Sequence, residues 1–98
     1  MGKNVLVPVA QGVEEMETIT IVDVLRRAGA DVTMASVDEI TIHASRGVEF
    51  KADALIKDCM DRDWDLVVVP GGIPGAENLA ASADLEILLK QQAEADKY

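Results

Sequence analysis

Two stretches of this sequence are apolar on both of their faces, and this narrows its folding options more than any other feature. Asn4 to Ala10 reads NVLVPVA, and Asp65 to Val69 reads DLVVV. A strand with one face in water alternates apolar and polar residues. A Val-rich run without alternation suits a strand buried between two helical layers. Asp31 to Ser36 (DVTMAS) supplies a further strand. Pro8 sits awkwardly in the first run, since it has no N–H to give to a ladder.

The segments between these runs read as helix, hairpin and turn. From Glu14 to Ala28, Met16, Ile19, Val22 and Leu25 recur at helical spacing. Glu14, Glu15 and Glu17 crowd the first turns and Arg26 and Arg27 the last, which suits the helix dipole, and Gly29 is a natural stop. Strand, helix and strand with short connections predict parallel pairing and a right-handed crossover. Ile40 to His43 and Val48 to Lys51 flank Ser45-Arg46-Gly47, predicting a small inserted antiparallel hairpin. Asp53 to Met60 reads as a short helix capped by Asp53. Pro70-Gly71-Gly72-Ile73-Pro74-Gly75 reads as a turn, and Ala83 to Ala95 as a last helix with Leu85, Leu88 and Leu89 on one side. That leucine face needs a sheet beneath it. In a doubly wound fold the helix would lead into another parallel strand, and the sequence reaches Asp96-Lys97-Tyr98 without one. Residues 1–98 are therefore expected to be the N-terminal portion of a single larger domain.

Charge and cysteine content restrict the function classes. The 98 residues carry 18 Asp and Glu against 9 Lys and Arg, a formal charge of −9. Such a surface disfavours nucleic acid and anionic membranes as partners, because both are bound through positive charge. The longest apolar run, Leu66 to Val69, is too short to cross a bilayer. The N-terminus matches neither a signal peptide nor a myristoylation signal. The single cysteine, Cys59, excludes an internal disulfide framework and a Cys-rich zinc site. A cytoplasmic setting is expected.

Ligands in open α/β sheets sit beyond the carboxyl ends of the strands. Glu14, Glu15 and Glu17 follow the first strand. On one reading they only favour a helix start and face water. On the other, one carboxyl, with Glu17 the first choice, turns back into the crevice, partly buried, and holds a proton there. Gly71 and Gly72 either serve a strand-to-helix turn or expose backbone N–H groups to an oxyanion. The spacing Gly71, Gly72, Gly75 is not G-x-G-x-x-G and no G-K-[ST] follows, so nucleotide binding is poorly supported. His43 lies in the presumed hairpin with no nucleophile paired to it. Cys59 lies among acidic residues, which raise a thiol pKa. Arg26 and Arg27 read as dipole partners, with Asp23 within ion-pair reach. Arg46, at the hairpin tip, is free to reach a neighbouring subunit or an anion, and Trp64 packs at the edge of the core.

Together, VLVPVAQGVEEMETITIVDVLRRAGADVTMAS, SRGV and DLVVVPGGIPGAENL resemble the ThiJ/PfpI family. The likeness falls on the branch that contains the Parkinsonism-associated deglycase and its bacterial and plant relatives, and covers essentially the whole chain. It implies a flavodoxin-like three-layer α/β/α sandwich with a mostly parallel sheet, forming homodimers. It makes Glu17, the last acid of E-E-x-E, the hydrogen-bond partner of a reactive cysteine. Gly71 and Gly72 of P-G-G would lie beside the same thiol. Arg27 of L-R-R-A-G and Arg46, the latter from the partner subunit, would form an anion-binding patch, and Met16 would lie at the dimer contact. The family's cysteine sits in an A-x-C-x-[GAS]-P elbow that this chain does not contain, and neither Cys59 nor His43 replaces the family's cysteine and histidine.

The activity so implied is that of a cofactor-independent, metal-free glyoxalase or deglycase. A thiolate attacks methylglyoxal or its protein adducts, and the same thiol senses oxidation. The nucleophile would come from the remaining C-terminal part of the protein, so the 98-residue chain is expected to be inactive alone. The alternatives are a redox sensor or chaperone on the same scaffold, and a small anion-binding module using the glycine turn.

Overall fold

The computed structural model describes residues 3–71 and 73–95. Strand β1 (Asn4–Val9) is followed by helix α1 (Glu15–Arg27), strand β2 (Asp31–Ser36), the hairpin strands β3 (Thr41–His43) and β4 (Glu49–Lys51), and the short strand β5 (Ala54–Leu55). A 3₁₀ turn (Ile56–Cys59), strand β6 (Leu66–Val67) and helices α2 (Ile73–Ala80) and α3 (Ala83–Glu94) complete it. The main sheet is parallel, in the order β5-β2-β1-β6. β3 and β4 pair antiparallel, Ile42 opposite Phe50, as the sequence predicts.

The first two-faced apolar run becomes the sheet centre. The second, Asp65 to Val69, expected to be buried on both faces, instead supplies the edge strand β6, with Leu66, Val67 and Val68 half-buried and Val69 exposed. Val5, Leu6, Val7 and Val9 are all buried, as are Val32, Met34 and Ala35 on β2. Val68 groups with Thr20, Ile21, Val24 and Leu25 of α1, whereas Val69 groups with α2 and α3. Successive residues of an extended run point to opposite faces, so α1 covers one face and the α2–α3 pair the other. The flavodoxin-like layering follows.

Pro8 is accommodated at the centre because the β1–β6 ladder ends there. Val68 N–H donates to Leu6 O at 2.9 Å. The next bond of a parallel ladder would run from the N–H of residue 8 to Val68 O. Pro8 cannot supply it, and β6 stops at Val67, short of the Val69 expected from its apolar run.

Several expectations are corrected. The buried stripe of α1 is Glu15, Thr18 and Val22, not one starting at Met16 and Ile19, which are 74% and 45% exposed. Asp53 caps no helix. Its carboxylate accepts from Met34 N–H and Arg26, both at 2.9 Å, and the next two residues pair with Ala35 and Ser36 as β5. The glycine–proline turn runs straight into α2. Trp64 is fully buried, its Nε1–H bonded to Cys59 O at 3.1 Å.

Candidate functional site

From β1 the chain moves through α1 to β2 on one side, and later returns to β6 on the other. The strand order therefore reverses between β1 and β6, and the crevice beyond their carboxyl ends is where such folds hold ligands. Two loops meet there, residues 10–14 after β1 and residues 68–71 after β6.

The first turn of α1 holds Gly71 by both of its backbone polar groups. Glu14 is the N-cap, its carboxylate accepting from Met16 N–H at 3.1 Å and Glu17 N–H at 2.6 Å. Glu14's own N–H donates to Gly71 O at 3.2 Å, and Gly71 N–H donates to Glu17 Oε1 at 2.6 Å. A Cβ on residue 71 would lie 3.1 and 3.3 Å from the Glu17 carboxylate oxygens, so the missing side chain makes room for that carboxyl. Closer still, a Cβ at Gly75 would meet Val13 Cα at 2.6 Å. The start of α2 is laid against the β1–α1 loop, with Gly75 N–H on Gly12 O and Asn78 Nδ2 on Gln11 O.

Glu17 and Gly71 are thus brought together, in a different manner from that expected. The Gly71 N–H does not stand free for an oxyanion, because the nearest acceptor is the carboxylate one helical turn into α1. Glu17 is exposed rather than partly buried, since nothing among the described residues covers the crevice. Its Oε2 makes no hydrogen bond among them. Gly72 lies outside the described residues.

A second carboxyl in this turn is the one buried. Glu15 is 8% exposed and accepts from Ser45 Oγ (3.3 Å), from Arg46 N–H (3.1 and 3.0 Å to its two oxygens) and from Val48 N–H (3.2 Å). Burial alone raises its pKa. Hydrogen bonds from its own N–H, from Val48 and Arg46 and from Ser45 outweigh that and leave it below the ordinary carboxylate value. The sequence reading prefers Glu17 among the three acids and gives Glu15 no role beyond favouring the helix start. The signal that separates it is its place in the stripe 15, 18, 22, which faces inward.

The two arginines are not brought together within the chain. Arg27 ends α1, ten residues and about 15 Å along the axis from Glu17, and pairs with Asp23 at 3.0 Å. Arg26 does not share that pair but reaches Asp53 at 2.9 Å. Arg46 is exposed at the hairpin turn and makes no ion pair among the described residues. His43 uses its backbone, donating to Gln11 Oε1 at 2.8 Å and accepting from Gly12 N–H at 2.9 Å. Burial pushes the Cys59 thiol up; Arg62 opposes this and Asp58 adds to it. It is buried as the last residue of the 3₁₀ turn that follows β5.

An open parallel sheet with an acid and a glycine turn paired at its switch point defines a flavodoxin-like α/β protein with a crevice site. Its sequence pattern identifies the particular lineage: the chain belongs to the DJ-1/PfpI family, which it matches over residues 3–98. It is 46% identical over 91 residues to protein DJ-1 homolog B of Arabidopsis thaliana, covering 92% of this chain and 21% of that protein. It is 34% identical over 79 residues to the glutathione-independent glyoxalase DJR-1.2 of Caenorhabditis elegans, covering 81% and 42%. Toxoplasma gondii DJ-1, solved in oxidized form, superposes with a TM-score of 0.95 at 45% identity, covering 98% of this chain and 53% of that one. The chain thus spans about half the length of that solved relative and less of the other two.

Proposed function

We propose that this chain supplies the acid and glycine-turn half of a cysteine-dependent glyoxalase or deglycase site, the nucleophilic cysteine lying in a C-terminal portion beyond these 98 residues. The observation that carries this reading is the 2.6 Å bond from Gly71 N–H to Glu17 Oε1 at the β1–β6 crevice. It fixes the carboxyl by one oxygen and leaves Oε2 without a hydrogen-bond partner among the described residues. In the longer protein a hydrogen bond donated by this carboxyl to a cysteine sulfur brought beside it would favour the thiolate. The thiolate attacks the aldehyde carbon of methylglyoxal, whose oxygen takes up a proton and becomes the hydroxyl of a hemithioacetal. At the matching carbon of a protein adduct, which already bears the hydroxyl, the attack expels the protein's amine or thiol, which leaves with the proton. Internal proton transfer converts the hemithioacetal to a thioester, and water releases lactate and regenerates the thiol. The Gly71 N–H, committed to Glu17, is not free for an oxyanion. The nematode relative's name as a glutathione-independent glyoxalase supports this reading.

A second reading, sensing by oxidation of the same thiol, is favoured by the oxidized state of the Toxoplasma relative. In either case a cytoplasmic homodimer is proposed. Met16 at 74% exposed, with Ile19 and Val48, offers it an apolar patch on α1 and the hairpin turn. Arg46 on that turn would serve as an anion contact at the shared site. No helix among the described residues is long and apolar enough to cross a membrane.

Methylglyoxal added to the 98-residue chain should give no lactate, whereas the chain joined to its C-terminal continuation should produce it. In that longer protein Glu17→Gln should raise the thiol pKa, read by the pH dependence of alkylation. Turnover by the short chain, or an unmoved thiol pKa, overturns the assignment.

A further inference from the structure

The β3–β4 turn carries an exposed arginine on a backbone that one buried carboxyl holds in place. Ser45 N–H is tied to Val13 O at 2.9 Å, and Ala44 N–H and Val48 O close the hairpin on itself at 2.9 Å. Beyond the hairpin's own bonds, Arg46 and Val48 are hydrogen-bonded to the rest of the described residues only through the Glu15 carboxylate. Three donors of the turn converge on it, two of them main-chain N–H groups that no rotamer change can redirect.

We propose that Glu15 is a positioning residue: its carboxylate latches the hairpin turn onto the first turn of α1 and so fixes where Arg46 presents its guanidinium to an anionic group. This rests on the reading of Arg46 as an anion contact and names the residue that sets its geometry. An arginine side chain is long and loses considerable rotamer entropy on binding. A turn free to move beneath it adds further freedom to be lost, so the latch strengthens binding without touching the anion. Glutamine in place of Glu15 keeps the shape, removes the charge, and turns one acceptor into a donor facing N–H groups.

Inorganic phosphate serves as the probe, titrated by calorimetry into the longer protein that carries the C-terminal continuation, in its homodimeric form. Glu15→Gln should weaken phosphate binding roughly tenfold, the size usual for residues that orient a ligand-binding group. Glu15→Gln placed on Arg46→Ala should add nothing to Arg46→Ala alone. Amide exchange at Arg46 and Val48 should accelerate in Glu15→Gln and stay unchanged in Arg46→Ala. Unaltered phosphate affinity in Glu15→Gln, or an equal loss with and without Arg46, overturns the latch. Binding that Arg46→Ala does not weaken overturns the anion reading itself, a different pattern. Should Glu15→Gln fail to fold, Ser45→Ala removes one donor to the same carboxyl and should show a smaller loss of the same sign.

Discussion

At Gly75 one added methyl group would meet main chain, and at Gly71 it would meet the tip of a movable side chain; the two glycines differ for that reason. A Cβ at residue 75 would stand 2.6 Å from Val13 Cα and 2.7 Å from Val13 N, and α2 would have to lift from the β1–α1 loop. Gly75→Ala should cost about 1–3 kcal/mol, only partly offset by the roughly 1 kcal/mol by which Ala outranks Gly in a helix. Urea unfolding measures it, and an unchanged midpoint would dismiss the close approach. Glu15 gives the residue scale its pH dependence. Its folded pKa lies below the ordinary 4.5. Its contribution is therefore complete at neutral pH and is lost as pH falls through the depressed value. Acid titration should speed amide exchange at Arg46 and Val48 before the parallel sheet opens. Exchange that rises uniformly across the chain would show that Glu15 holds no local latch.

Elements were legible in the sequence wherever one physical signal ran long enough. The apolar runs mark β1 and β6, DVTMAS marks β2, the acid start and basic end mark α1, and Ser45-Arg46-Gly47 marks the hairpin. The leucines mark α3, which begins at Ser82, whose side chain accepts from Leu85 N–H. The elements that escaped are short or set by tertiary contacts. β5 is two residues long and exists because β2 offers an edge at Ala35 and Ser36. α2 begins amid glycine and proline, which signal a turn in any local reading, and it forms because Gly75 can lie on Val13. The site divides the same way. The E-E-x-E and P-G-G segments pointed to Glu17 and Gly71, but their mutual bond is a long-range contact across 54 positions. The stripe 15, 18, 22 hints at the inward turn of Glu15, but the hairpin N–H donors that satisfy its carboxylate lie 31 and 33 positions away.

For the molecule as a whole, the open side of the sheet decides how it should behave. β6 is the last strand in the order, with β1 its sole partner among the described residues. An apolar groove of about 480 Å³ lies on the α2–α3 face and includes Val69, Leu79, Leu85 and Leu89. A second of about 350 Å³ lies on the α1 face against Val68. Grooves on both faces of one unpaired edge fit a further parallel strand beside β6 with helices on either side of it, and the solved relative is about twice as long as this chain. Val69, 48% exposed here, separates this arrangement from a finished edge. Val69→Lys should leave the stability of the 98-residue chain within about 0.5 kcal/mol, as surface changes do. In the longer protein the same change would bury an unpaired ammonium and cost several kcal/mol. Parallel denaturation of the two lengths, each with and without the substitution, gives the comparison. Equal tolerance in both would mean that β6 is a true edge of the sheet and that the continuation packs elsewhere.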